Sequence, residues 1–255
     1  MTAQLAHIFR HPIKSIGLEE IAGASLAMGG ALPFDREWAV LTEISKIGRT
    51  EEGLATAWGK KVNFVIGRSA PALMQVTARE TAPGRWRFEH PDVAPLEIAP
   101  AAAEDQARLI EWLRPLWPAE APAPTAVVRA PGQPLCDEPY ACLSLIGAAS
   151  LADLEARSGM TLSTRRFRAN LWAEGWAPFA EFELIGRRLR IGTAEFEVKE
   201  RVGRCRATDV NPETGARDID MLKTLEGLYG HTDLGVFLTV TEPGVIARGD
   251  RIEVL

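Results

Sequence analysis

Apolar residues in the first hundred positions come in short runs, several with polar residues alternating between them. Ala6–Phe9, Trp38–Leu41, Val62–Ile66, Leu73–Val76 and Trp86–Phe88 are the clearest. Gly and Pro interrupt the chain between them at close intervals, the rhythm of strands joined by tight turns and not of βαβ units. This part of the chain is therefore expected to form a barrel or sandwich. The period changes at Glu104–Leu113, where Ala107, Ile110 and Leu113 recur at helical spacing. Pro115 and Pro118 end that helix. Pro118–Pro134 is dense in Pro and Ala, cannot hold a regular helix, and is expected to be a linker or an extended crossing. It divides the chain into an expected first unit, 1–120, and second unit, 121–255. Beyond it, Ala148–Arg157 has a helical pattern with Ser150 as a candidate cap, and Met221–Leu228 a second short one. Asn170–Ala173, Arg188–Ile191, Phe196–Val202, Val236–Val240 and Ile252–Leu255 read as strands. The expected class is mixed and β-rich (α+β), with a few short helices.

Composition narrows the functional classes. A net charge of −5 over 255 residues disfavours a dedicated nucleic-acid binder, which needs a basic excess to neutralise phosphates. Nothing approaches the 18 or so apolar residues of a membrane span, and Met1–Gly17 lacks a signal-peptide pattern. Cys136, Cys142 and Cys205 are odd in number and irregularly spaced, so they read as thiols in a reducing compartment, with the cytoplasm as the expected location. They do not supply the four cysteines of an iron–sulfur cluster or a structural zinc site. Charge is unevenly spread: residues 157–206 carry 11 Arg or Lys against 6 Asp or Glu. Such a stretch suits a bound anion, and it equally suits a solvated strand face.

Four stretches could carry chemistry. In His11-Pro12-Ile13-Lys14-Ser15, Pro12 cannot donate to a sheet ladder, so the strand ends or bulges and Lys14 and Ser15 fall on a turn. Asp35-Arg36-Glu37-Trp38 places an ion pair ahead of a strand. In Arg165-Arg166-Phe167-Arg168-Ala169-Asn170, a strand would put Arg166, Arg168 and Asn170 on one face, a clamp for an oxyanion. In Val202-Gly203-Arg204-Cys205-Arg206, a cysteine among arginines is a candidate nucleophile or soft-metal ligand, as well as a candidate small buried residue. His7 and His11 have no third ligand nearby in sequence and are taken as structural.

Together these stretches resemble the MOSC (molybdenum cofactor sulfurase C-terminal) domain family, in its two-domain, amidoxime-reducing form with an N-terminal β-barrel. The family's Pro-Ile/Val-Lys-Ser, Asp-Arg-x-Trp and Phe-Arg-Pro-Asn correspond to Pro12–Ser15, Asp35–Trp38 and Phe167–Asn170. Its Cys-x-Arg-Cys followed by Asp-Pro-x-Thr-Gly corresponds to Val202–Cys205 and Asn211–Gly215. The chain departs from the pattern at Val202, Ala169, Asn211 and in Ile146–Leu151, where a family serine is missing. The resemblance implies a MOSC β-barrel behind an N-terminal barrel-like domain and a bound molybdenum cofactor. It implies Cys205 as the catalytic metal ligand and Lys14, Ser15, Arg36, Arg168 and Asn170 as residues binding the pterin and its phosphate. It further implies reduction of N-hydroxylated or related small substrates, with electrons from a separate ferredoxin-like or cytochrome b5-like protein. No iron–sulfur cluster, pyridoxal phosphate, nucleic acid or membrane is expected. The alternatives are a persulfide carrier acting through Cys205 and a non-catalytic cofactor-binding protein.

Overall fold

The computed structural model describes residues 3–255. The chain opens with β1 (Ala3–Arg10), β2 (Glu19–Ile21), β3 (Gly23–Leu26) and β4 (Trp38–Thr42), and continues into the meander β5 (Thr77–Ala82), β6 (Arg85–His90) and β7 (Val93–Ile98). Helix α1 (Ala103–Leu113) and β8 (Pro124–Arg129) follow. Next come β9 (Leu143–Gly147), α2 (Ala148–Ser158), β10 (Leu171–Glu174), β11 (Arg188–Ile191), β12 (Ala194–Gly203), α3 (Met221–Tyr229), β13 (Asp233–Glu242), β14 (Gly244–Ala247) and β15 (Arg251–Val254). The expected β-rich class with a few short helices is what the chain adopts.

Seven strands close into a barrel in the order β1-β10-β9-β13-β12-β11-β15, with β15 returning to β1. All pairs are antiparallel except β9–β10, which α2 connects as a crossover. The alternation that builds it is plain in β12, where Ala194, Phe196 and Val198 are buried and Glu195 and Glu197 turn outward. Leu5, Ile8, Phe196, Val198 and Leu238 fill the interior. A second core gathers Val40, Trp86, Phe88, Leu109 and Leu113 between the meander, β4 and α1. A third, with Phe9, Leu154, Trp172 and Leu225, lies under α2 and α3.

The division between residues 120 and 121 is crossed three times. Strand β1 completes the barrel of the later unit, β8 pairs with β4 of the earlier one, and β14 pairs with β3. The Pro/Ala stretch is thus in part a strand, with Val127 and Val128 fully buried; Pro124 sits at its first position, where a missing N–H does no harm to the ladder.

Two expected strands are 3₁₀ turns. At Lys61–Asn63 the Asn63 side chain accepts from Lys46 N (2.7 Å) and donates to Lys60 O (3.0 Å), local bonds that compete with a ladder. At Pro71–Gln75 the proline opens the turn, and Leu73 and Met74 reach the core from it. Ser150 does not cap α2. Gly147 holds that position, and Ser150 is a fully buried residue whose hydroxyl donates to Glu181 (2.8 Å) and accepts from Phe179 N (2.8 Å).

Candidate functional site

A cleft with a free volume of about 220 Å³ lies where the two units meet. Lys14, Ser15, Arg36, Arg168, Asn170 and Cys205, six residues far apart in sequence, all line it. Seven Lys or Arg residues line it against two acidic ones, Asp137 and Glu138, so the cleft is cationic in an acidic protein.

Lys14 is buried, not displayed on an open turn. Pro12 ends β1, and the chain doubles back through an Ile13–Ile16 bridge, which sends the Lys14 ammonium inward to donate to Leu135 O (2.8 Å) and Asp137 Oδ1 (2.6 Å). Burial opposes the charge on Asp137, but Lys14, Lys61 and Arg36 outweigh it and hold the carboxyl down at about 2. Ser15 follows in left-handed backbone (φ 65°) on the rim.

Behind this turn lies a buried triad. Asp35 Oδ1 accepts from His11 N (2.7 Å) and faces His11 Nδ1 (3.1 Å), while Asp35 Oδ2 accepts from Arg36. Burial, followed by the charges of Arg168 and Arg36, drives the His11 imidazole down to about 3 against the pull of Asp35. The ring is therefore neutral, with Nδ1–H directed at the carboxylate and Nε2 without a partner. Burial works against ionisation of Asp35 too, yet Arg36 and His11 keep its pKa well below the usual carboxylate range.

The arginine-rich stretch is not a strand. Thr164–Phe167 is a 3₁₀ turn, capped by Ser163, and Arg168 leaves it in left-handed backbone (φ 49°). The expected single clamp face is therefore divided. Arg166 is inside the fold, bidentate to Asp218 (2.8 and 3.0 Å) and bonded to Thr208 O (3.2 Å). Arg168 reaches the cleft, donating to Gly17 O (3.1 Å), and burial together with Arg36 pushes it down to about 9. Asn170 is engaged with the scaffold: Oδ1 accepts from Ser144 N (3.1 Å) and Ser144 Oγ (3.2 Å), and Nδ2 donates to Phe9 O (3.2 Å). Arg36 donates to Arg168 O (3.0 Å) and reaches Asn170 Oδ1 (3.5 Å), so its guanidinium is set by the backbone of Arg168 and by Asn170.

Cys205 sits just past the end of β12, ahead of the 3₁₀ turn Arg206–Asp209. It is half-buried and free; its carbonyl, not its thiol, takes the hydrogen bonds of Thr208. The flanking arginines do not share a strand face. Arg204 turns back to Leu234 O and Phe167 O (3.1 Å), and burial pushes it to about 10 against the pull of Cys205 and Asp233. Arg206 pairs with the buried Asp209 (3.0 Å), which also accepts from Met221 N and so fixes the turn to α3.

Compared with known proteins, residues 136–253 match the MOSC domain and residues 2–118 match the MOSC N-terminal beta barrel domain. The chain belongs to the MOSC family. Over 123 residues it is 31% identical to mitochondrial amidoxime-reducing component 1 of Homo sapiens, covering 44% of this chain and 36% of that protein. Over 96 residues it is 31% identical to a molybdenum cofactor sulfurase of Drosophila willistoni, covering 37% and 12%. The chain thus spans well under two thirds of either relative. Of solved structures, YuaD of Bacillus subtilis aligns along 100% of this chain and 96% of its own at 13% identity and a TM-score of 0.46. YiiM of Geobacillus stearothermophilus aligns along 44% and 53% at 18% identity and a TM-score of 0.35.

The residues of this MOSC cleft fit a molybdenum cofactor in their chemistry. One free thiol suits a soft metal, and guanidinium and ammonium groups from both units suit a phosphate. Among the described residues no group of three or more His, Cys, Asp or Glu is placed to hold a metal ion. The sequence did not single out Cys136, Cys142, Asp137, Lys61 or Arg68, which also line the cleft. The first three lie just beyond the Pro/Ala stretch, whose composition hides that the chain returns there to Lys14.

Proposed function

We propose that this MOSC protein binds the molybdenum cofactor in the cleft and is a reductase of N-hydroxylated or related small molecules. The reading is carried by one observation: a free thiol and cationic side chains from both units converge on a single enclosed space. When bound, the cofactor supplies two-electron chemistry at a metal with open positions. Cys205 would be the protein ligand to molybdenum. Lys14, Arg36 and Arg168 would neutralise the phosphate, and Ser15 would offer it a hydroxyl. Asn170 would position Arg36 and join β9 and β10 to β1.

An adjoining apolar hollow of about 600 Å³, with Phe64, Trp58 and Trp117 in its wall, shares Lys61, Ile66, Arg68, Asp137 and Glu138 with the cleft. It is the candidate seat for the organic part of a substrate. Electrons would come from a separate ferredoxin-like or cytochrome b5-like donor.

Protein loaded with cofactor, supplied with a reduced viologen dye and an aromatic amidoxime, tests the reading. The expected outcome is oxidation of two dye molecules per substrate, with a loss of at least about 100-fold in Cys205→Ser. A loaded protein that leaves such substrates untouched but carries a cyanide-releasable sulfur on Cys205 would instead support persulfide transfer.

A further inference from the structure

Cys136 and Cys142 have no part in the cofactor reading, yet both are buried on the wall of the same cleft. Their sulfurs are 3.9 Å apart, with the Cys142 thiol donating to Cys136 Sγ. The Cys136 thiol, when protonated, is in turn placed to donate to the carbonyl of Glu138 (3.3 Å) or Tyr140 (3.4 Å). From Cys136 to Cys142 the chain is irregular, between β8 and β9. A disulfide bond is about 2 Å long, so the sulfurs need approach by less than about 2 Å, and no helix or sheet ladder resists that movement.

Cys136 is the more acidic thiol of the pair, so that its thiolate is accessible near neutral pH. The hydrogen bond from Cys142 is the largest influence, burial opposes it, and Arg36 and Lys14 add positive charge; together they bring the Cys136 thiol down to about 7. Cys142, the donor of that bond, is pushed far up and stays protonated. A thiolate in contact with a neutral thiol is the arrangement of an attacking and a resolving cysteine.

We propose that Cys136 and Cys142 are a redox-active dithiol, which hydrogen peroxide entering the cleft converts to a disulfide. The Cys136 thiolate attacks one peroxide oxygen, the O–O bond breaks, and hydroxide leaves to take up a proton as water. Cys136 is then a sulfenic acid. The Cys142 sulfur attacks the Cys136 sulfur, the S–S bond forms, the S–O bond breaks, and the departing hydroxide leaves as water with the Cys142 proton. Two thiols and one hydrogen peroxide give one disulfide and two waters, the two electrons passing from sulfur to peroxide oxygen. The reaction discharges the thiolate beside Arg36 and Lys14, within the segment whose Leu135 carbonyl and Asp137 carboxylate hold the Lys14 ammonium.

The test is to reduce the full chain, remove small thiols, add a slight excess of hydrogen peroxide, block with iodoacetamide under denaturing conditions and digest with trypsin. Free thiols should fall from three to one. The single tryptic peptide that contains both cysteines should carry no carbamidomethyl group and be lighter by about 2 Da than its unblocked dithiol form, reversibly with dithiothreitol. In Cys142→Ser, Cys136 should be trapped by dimedone as its sulfenic acid, and in Cys205→Ser the link should form as in the wild type. Recovery of Cys136 and Cys142 as blocked thiols while Cys205 is oxidised overturns the proposal, and so does a link that joins Cys205 or a second chain.

Discussion

Ser15, Arg36 and Arg168 are three of the five non-glycine residues with left-handed backbone among the described residues, at φ 65°, 51° and 49°. Each such conformation costs about 1 kcal/mol or more and persists only where its surroundings fix it; here all three point their residues at one cleft. Arg168 is held down to about 9 by burial and then by Arg36, a strain that an anion between the two would relieve. Phosphate or pyrophosphate should therefore raise the Tm of the cofactor-free protein by about 3 °C or more at saturation. Arg168→Leu should abolish the rise, and an unchanged response in that variant would contradict the anion role. His11 sets the acid limit. Its folded pKa of about 3 lies below the ordinary 6.5 of the unfolded chain, so the stability it contributes is complete above 6.5 and is lost as pH falls towards 3. The slope from one such group is at most about 1.4 kcal/mol per pH unit. His90, also lowered by burial, acts in the same direction. In urea melts between pH 6.5 and 3, His11→Asn should lose stability less steeply than the wild type; parallel curves would show that His11 is not the sensitive group.

At the level of elements, the site depends on two 3₁₀ turns tied together. Arg166, 1% exposed in the turn ahead of Arg168, reaches Thr208 O in the turn after Cys205 and the carboxylate of Asp218. Removing the carboxylate leaves a guanidinium buried without its counter-charge, so Asp218→Asn should destabilise by about 3 kcal/mol, read from chemical denaturation. A loss within experimental error would mean that Arg166 is satisfied by carbonyls alone. These turns also mark where the sequence was hard to read. Alternation identified β6, β12 and β13 because each has one mainly buried face, whereas β1 and β4 stood out as short apolar runs, β4 being buried throughout. Thr164–Phe167 shows no such period, its arginines serving an internal ion pair and a cleft within three residues of each other. Val62–Ile66 and Leu73–Val76 are apolar enough for strands, but Asn63 and Pro71 impose local turns that apolar content does not reveal. Pro124–Arg129 is the converse, a strand concealed by a Pro/Ala-rich composition.

At the level of the whole molecule, the cleft exists because the two units are interlocked. Strand β1 belongs to the barrel while the turn it runs into, at Lys14 and Ser15, serves the cleft, and β8 leads back from β4 to Leu135 and Asp137. The short motifs carried most of the site's membership, since Lys14, Ser15, Arg36, Arg168, Asn170 and Cys205 all line one space. They did not reveal that Lys14 is already paired or that Asn170 is consumed by the scaffold, because those partners come from distant loops. The central claim is that this space holds a molybdenum cofactor through Cys205. Its most direct test is to quantify molybdenum and pterin in wild-type and Cys205→Ser protein purified from a cofactor-competent host grown with molybdate. The account predicts both in equal amounts in the wild type, approaching the protein concentration, and loss of molybdenum in the variant. Wild-type protein free of both, or a variant that keeps its full molybdenum, would contradict it.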